Sequence, residues 1–430
     1  MILLVALALV VLVSPGIVGR IAERNFEEGV EWADSGSADL VVTTEKFDRG
    51  WFSSEGRHRI SLRENELLAA LYGDGAAPSL VIDTRFDHGL VPVSSMTRDS
   101  GSLKPGLSRM VSTMHLDSAD GRLIELPGRF YSETSLTGET TGRYLLEAGS
   151  RREDGLAAEW GGADLQYVAD PASRMLAVKG EVQPWQFESG GDRGEFGRLS
   201  IDARQQQSGF GFNVGDLVLG LDSVAIGGAD GTVAGMGKLH VAADSAVEDA
   251  RVRGRSELTV ERLGVPGVGD IDLAMDITVS GLDAASLGRI AIAFREAQAA
   301  PDPELALSGM YPVIEDDLET LLQGGGELSF DRLDLTLPQG EVRSRLNLSL
   351  PESAGAFSWG SLLLGLKARA DLDLPAALVE LGRQIDPQAA ALVDMGLLRL
   401  NGDVYEMRAE YASGLLTVNG APLPLPLPGQ

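Results

Sequence analysis

The 430-residue chain carries 36 basic and 63 acidic side chains, a net charge of −27, and no cysteine. Such a surface repels phosphate backbones, which excludes nucleic acid as a partner; disulfides, thiolate metal sites and cysteine nucleophiles are excluded outright. A hydrophobic content of 44% with 53 glycines fits a folded chain rich in turns, long enough for two or three domains or one elongated β structure.

The first element is ILLVALALVVLVSPGIV, Ile2–Val18, 17 residues without a charge. That is the lower limit for crossing a hydrocarbon core of about 30 Å. Ser14-Pro15-Gly16 offers no small-x-small cleavage pattern, so the expectation is an uncleaved anchor over residues 1–19 rather than a removed signal. Residues 20–36 follow with Ile21, Phe26, Val30 and Trp32 spaced among carboxylates, which predicts a helical neck. The body is then 37–430, with a candidate division at the linker-like 297–305.

From Leu40 onward the pattern has period two. In IDLAMDITV, Ile271, Leu273, Met275, Ile277 and Val279 alternate with Asp272, Ala274, Asp276 and Thr278; in EVRSRLNLSL, Leu346, Leu348 and Leu350 alternate with Arg345, Asn347 and Ser349. One apolar and one polar face, repeated between Gly, Asp and Pro, predicts an extended antiparallel sheet, curved or twisted. Asp120-Gly121, Asp154-Gly155, Asn401-Gly402 and Asn419-Gly420 are hairpin-turn dipeptides.

Helices are expected only in the second half. Asp283 caps an apolar-periodic run to Gln298, a second helix runs from Met310 into Gly324-Gly325-Gly326, and a third candidate breaks near Asp386-Pro387. AMDITVSGLDAASLGR and ARADLDLPAALVELGR echo each other as a strand running into a helix. The tail APLPLPLPGQ should be extended polyproline II.

The stretch DRGWFSSEGRHRI, Asp48–Ile60, is the one place that hints at chemistry. As a strand it puts Ser54 and His58 on one face roughly 13 Å apart, too far for a nucleophile and its base, which must lie within about 3 Å. A distant histidine (His88, His115 or His240) could still serve, but no Gly-x-Ser-x-Gly elbow is present. The expected role is structural: Gly50 for a bend, Trp51 and Phe52 anchoring opposite faces, Ser53 and Ser54 satisfying backbone groups. The histidines do not form a metal pattern, and no glycine cluster precedes Lys-Ser/Thr, so no cofactor or metal is expected.

DRGWFSS, with Arg49, Gly50, Trp51, Phe52, Ser53 and Ser54, resembles the signature of the YdgA-like family of bacterial envelope proteins of unknown function. SPGIVGRIAE after the apolar run, FDHGLVPV with His88 and Gly89, and YASGLLTVNGAPLPL with Asn419 and Gly420 extend the resemblance from Ser14 to Leu425. Leu90 stands where that family usually has proline. The resemblance implies a single-pass inner-membrane protein with its body in the periplasm, and it supplies no catalytic residues.

Together these features point to a non-enzymatic scaffold or adaptor for envelope components. The alternative is lipid or acyl-chain binding along an apolar β groove; the third reading is a cell-envelope hydrolase. Helices covering the sheet favour the adaptor, helices gathered at strand ends favour the groove, and a polar cleft would favour the hydrolase.

Overall fold

The computed structural model describes residues 40–62, 79–89, 106–117, 123–153, 155–189, 191–228, 233–265, 268–298, 300, 303–353, 357–385 and 387–423. The expected anchor, neck, Asp120-Gly121 turn and residues 424–430 of the tail lie outside these. Among the described residues no helix is long and apolar enough to cross a membrane. By internal contacts the chain divides into two units: residues 1–149 with 161–182 and 298–301, and residues 150–160 with 183–297 and 302–430. The candidate division at 297–305 thus contains the short excursion 298–301, whereas the other boundaries fall near 149–161 and 183.

The first unit is a meander of β1 (Leu40–Arg49), β2 (Ser53–Leu62), β3 (Ser79–His88), β4 (Ser108–Asp117), β5 (Leu123–Thr134) and β6 (Thr140–Leu146). The chain then makes a hairpin of β7 (Gly149–Glu153) and β8 (Leu156–Trp160) before β9 (Ala163–Asp170) and β10 (Met175–Val182). Each strand from β1 to β6 is antiparallel to the next, β6 pairs with β9, and β9 with β10.

In the second unit come β11 (Trp185–Ser189), β12 (Asp192–Phe196), β13 (Leu199–Gln207), β14 (Asn213–Leu221), β15 (Val224–Gly227), β16 (Val233–Met236), β17 (Leu239–Glu248), β18 (Arg251–Val265) and β19 (Gly269–Asp283). Three helices follow, α1 (Ala284–Gln298), α2 (Pro303–Ser308) and α3 (Tyr311–Gln323), then β20 (Gly326–Leu337) and β21 (Gly340–Leu350). The rest is α4 (Trp359–Gly365), β22 (Lys367–Pro375), α5 (Ala376–Ile385), α6 (Pro387–Asp394), β23 (Arg399–Asn401), β24 (Val404–Ala412), β25 (Leu415–Val418) and β26 (Ala421–Leu423). The long ladder runs β13-β14-β17-β18-β19-β20-β21-β22-β24-β25-β26, antiparallel at every step. A smaller sheet has the order β7-β8-β11-β12-β15-β16. It joins the ladder at bends where Gly197 N–H donates to Ser223 O (2.8 Å) and Gly237 N–H to Glu261 O (2.7 Å).

The expected helical stretches are helical as α1, α3 and the pair α5 and α6, whereas α2, which overlaps the linker-like 297–305, and α4 were not expected. Asp283 Oδ1 accepts from Ser286 N–H at 2.8 Å, capping α1. α5 ends at Ile385 and α6 begins at Pro387, a residue without a helical N–H donor; the expected break at residue 386 lies outside the described residues. Both halves of the echo are strand-into-helix units, β19 into α1 and β22 into α5. Among the described residues the one hydrophobic cluster of buried side chains lies under α5: Val379, Leu398 and Tyr405, with Leu374, Val393 and Met407 packed around them. At roughly 1.5–3 kcal/mol for each fully buried large side chain, this is a local clamp on β22 and β24. Asn419-Gly420 closes the β25–β26 hairpin as a two-residue loop with φ of 51° and 81°, the left-handed pair a type I′ turn requires. Asn419 also donates to Gly396 O and Leu397 O and accepts from Arg408 N–H.

Candidate functional site

In the first unit, Gly50 to Ser53 form the β1–β2 turn. Gly50 N–H donates to Ser53 O at 2.9 Å, and a Cβ on Gly50 would lie 2.5 Å from that oxygen. Gly50 therefore makes the expected bend. Trp51 and Phe52 do not anchor the two faces: Trp51 is 56% exposed and Phe52 40%. A turn this tight carries its second and third residues beyond the last strand pair, Arg49 with Ser54, where the sheet covers them only in part.

Ser54 also departs from expectation. It is 2% exposed, and its hydroxyl lies 3.0 Å from Nε2 of His88, itself 1% exposed. The meander makes this contact: β2 and β3 pair Ser54 with Phe86, so His88 stands one same-face position beyond, and its N–H donates to Phe52 O at 3.0 Å. His58 occupies the same face, buried, with Nδ1 3.2 Å from Thr44 Oγ1. Burial pushes its pKa below the ordinary imidazole value. Thr84 and Ser112 bond to each other at 2.8 Å, also buried. This face is thus laced by hydroxyl and imidazole groups.

Serine and histidine at 3.0 Å have the spacing of a nucleophile and its base. A nucleophile must also meet substrate, and both side chains are enclosed. The opposite face of the same strands carries cross-strand ion pairs. Arg57 clamps Asp83 with two bonds, of 2.6 and 2.9 Å, and that contact holds the Asp83 carboxyl below its usual range. Arg59 bridges Glu45 and Asp117. Among the described residues no three His, Asp or Glu side chains gather as metal ligands.

The second unit presents a different surface. Strand pairing places Leu199, Leu221, Leu239, Val260, Leu273, Leu335 and Val342 directly opposite one another, one from each of seven neighbouring strands. The next same-face row is Ile201, Leu219, Val241, Leu258, Met275 and Leu333; a third runs Ala203, Leu217, Ala243, Ser256, Ile277 and Phe330. With neighbouring strands about 4.8 Å apart, seven strands span about 29 Å along the sheet. The other face is ionic, with Arg255–Glu257 at 2.6 Å, Arg332–Asp334 at 2.7 Å and Arg408–Asp373 at 2.6 Å.

The apolar rows are not a covered core. Leu333 is exposed, and every other member of the three rows is only half-buried. In a two-layer domain such mid-strand aliphatics are the most enclosed positions. The helices sit elsewhere. α1 lies along the strand ends, its Gly288 against the β13–β14 turn at Phe210 and its Arg295 donating to Gly211 O. α3 and α4 lie at this same end, where β19 finishes and β20 begins. α5 packs at the opposite end, on Leu374 and Tyr405. The alternation in the sequence predicts the apolar face but carries no signal for which layer, if any, lies on it.

Residues 1–426 match the family described as bacterial protein of unknown function (DUF945), and the chain belongs to that family. No curated protein and no solved structure matches it.

Proposed function

We propose that this bacterial protein works by binding rather than catalysis, carrying acyl chains of lipids along the apolar face of its second unit. The observation that carries the reading is the row from Leu199 to Val342, seven aliphatic side chains in unbroken cross-strand register and only half-buried. Its span of about 29 Å matches the hydrocarbon thickness of a bilayer, or about two acyl chains end to end. Each methylene laid on such a surface gains up to about 0.8 kcal/mol, and about half that where its far side stays in water. The row carries no hydrogen-bonding side chain, so it favours chains over headgroups or peptides. In this reading Ile2–Val18 is the inner-membrane anchor and the body faces the periplasm, as the resemblance to the YdgA-like family implies.

The adaptor reading has less support. Strand β1, which among the described residues pairs with β2, carries Glu45, Lys46 and Asp48 beside a bulge between Thr44 and Lys46, features that discourage strand addition. The test is binding of cis-parinaric acid to residues 20–430 purified without detergent. Saturable binding is expected, weakened at least about tenfold, or 1.4 kcal/mol, by Leu273→Asp with Leu335→Asp. Absence of binding by the unsubstituted protein, or equal binding by a folded variant, would refute the reading.

A further inference from the structure

The helical end of the second unit leaves large apolar side chains in water. Val313 on α3 is 72% exposed and Leu364 on α4 63%; Tyr311 of α3, Trp359 of α4 and Phe294 of α1 are exposed too, as is Leu415 after the β24–β25 turn. The elements that carry them are tied together. Arg289 of α1 holds Asp317 of α3 at 2.6 Å. Arg251 donates to Gly281 O at the end of β19 and to Gly324 O beyond α3. Tyr411 of β24 donates to Leu363 O of α4 at 2.9 Å. Between α3, the end of β21 and α4 lies a cavity of about 150 Å³ lined largely by Leu322, Leu350, Pro351, Phe357 and Leu362.

We infer that this end is a bilayer-docking port through which the apolar face receives its lipid. The inference rests on the acyl-chain reading above. Three features favour a lipid surface over a protein partner. The exposed set combines Trp, Tyr and Phe with aliphatic tips, the composition of side chains that sit at a membrane interface. The port is continuous with the apolar rows: Val279, Leu328 and Leu348 form the same-face row nearest this end, so a chain leaving the bilayer meets apolar surface at once. The charge selects the lipid. Exposed Glu315 and Asp316 lie on α3, while Arg289 is paired with Asp317. Arg251 and Arg295 at this end are turned onto backbone carbonyls, so the acidic helix α3 suits neutral, zwitterionic headgroups better than anionic ones.

The chain has no cysteine, so single labels can be introduced cleanly. The full chain is placed in phosphatidylcholine vesicles with an environment-sensitive dye at Val313→Cys, Leu364→Cys, Met275→Cys on the apolar face, or Gly402→Cys in the β23–β24 turn. Blue-shifted emission at 313 and 364, at least about twofold brighter and quenched by nitroxide lipid, is expected, with no change at 402. Unshifted dye at both 313 and 364, or equal shifts at 402, would overturn the port. The dye at 275 reports on the face separately: a shift there without one at 313 and 364 sinks the port alone, and the reverse sinks the acyl-chain reading while leaving the docking. As a second check, Val313→Asp with Leu364→Asp should slow transfer of a fluorescent phospholipid between vesicles at least about tenfold without altering parinaric acid binding. Unchanged transfer would also overturn the port.

Discussion

Replacing Ser54 by alanine tests whether the one serine–histidine contact in the first unit is structural. The substitution removes a single oxygen, so it opens almost no cavity. Its effect is the loss of a buried bond to His88 Nε2 at 3.0 Å. A neutral hydrogen bond contributes about 0.5–1.5 kcal/mol net, but leaving a buried partner unsatisfied costs about 1–3 kcal/mol. With both side chains enclosed, the second figure governs, and Ser54→Ala should destabilise the first unit by about 1–3 kcal/mol. Hydrogen exchange read by mass spectrometry localises the loss: amides of β2 and β3 should exchange faster, while those of β18 to β21 keep their protection. A change under about 0.5 kcal/mol would show that the bond holds nothing together. Covalent capture of Ser54 by a fluorophosphonate would refute the reasoning more sharply, since it requires an accessible, activated hydroxyl.

Three further outcomes are expected. Trp51→Ala should cost less than the roughly 3–5 kcal/mol of a buried-core aromatic truncation in urea unfolding, because Trp51 is more than half exposed; a loss of that size would show that it anchors the sheet. Burial lowers the pKa of His58 from its ordinary 6.5, so the unfolded chain takes up the proton first. Stability present above pH 6.5 is therefore lost as pH falls through 6.5 toward the folded value, at up to about 1.4 kcal/mol per pH unit. His58→Gln should flatten that slope in denaturation profiles between pH 7 and 5, and an unaltered slope would contradict the assignment. Asn419→Ala removes three side-chain hydrogen bonds and places alanine at a φ of 51°. A loss of about 1–3 kcal/mol is expected in thermal melts, and an unchanged melt would contradict the turn's role.

Much of the architecture was legible because period two survives wherever one sheet face is apolar. Leu273, Met275 and Ile277 read as same-face residues and are so paired. Asn419-Gly420 and Asp283 marked a turn and a cap through local chemistry alone. What sequence could not supply was long-range register. Nothing near Ser54 names His88 as its partner; a 34-residue separation is closed by the β2–β3 pairing. The small sheet was hidden for a related reason. At its bends the alternation slips by one, as between Phe196 and Leu199, and nothing in the pattern says that the strands on either side belong to different sheets. Trp51 and Phe52 misled because bulky apolar residues ordinarily signal burial, whereas a tight turn carries them past the last strand pair. Helix placement was equally invisible: an amphipathic pattern shows that α1 and α3 have an apolar side, not whether they cap the strand ends or cover the face.

The claim that the second unit binds acyl chains is met most directly by photo-crosslinking in growing cells, with p-benzoylphenylalanine in place of Leu258 at the middle of the apolar face. The account predicts that the purified chain carries the added mass of a phospholipid or another acyl lipid, and that the same probe at Arg255, on the ionic face, captures none. A protein adduct at 258, or a lipid yield no higher than at 255, would contradict it.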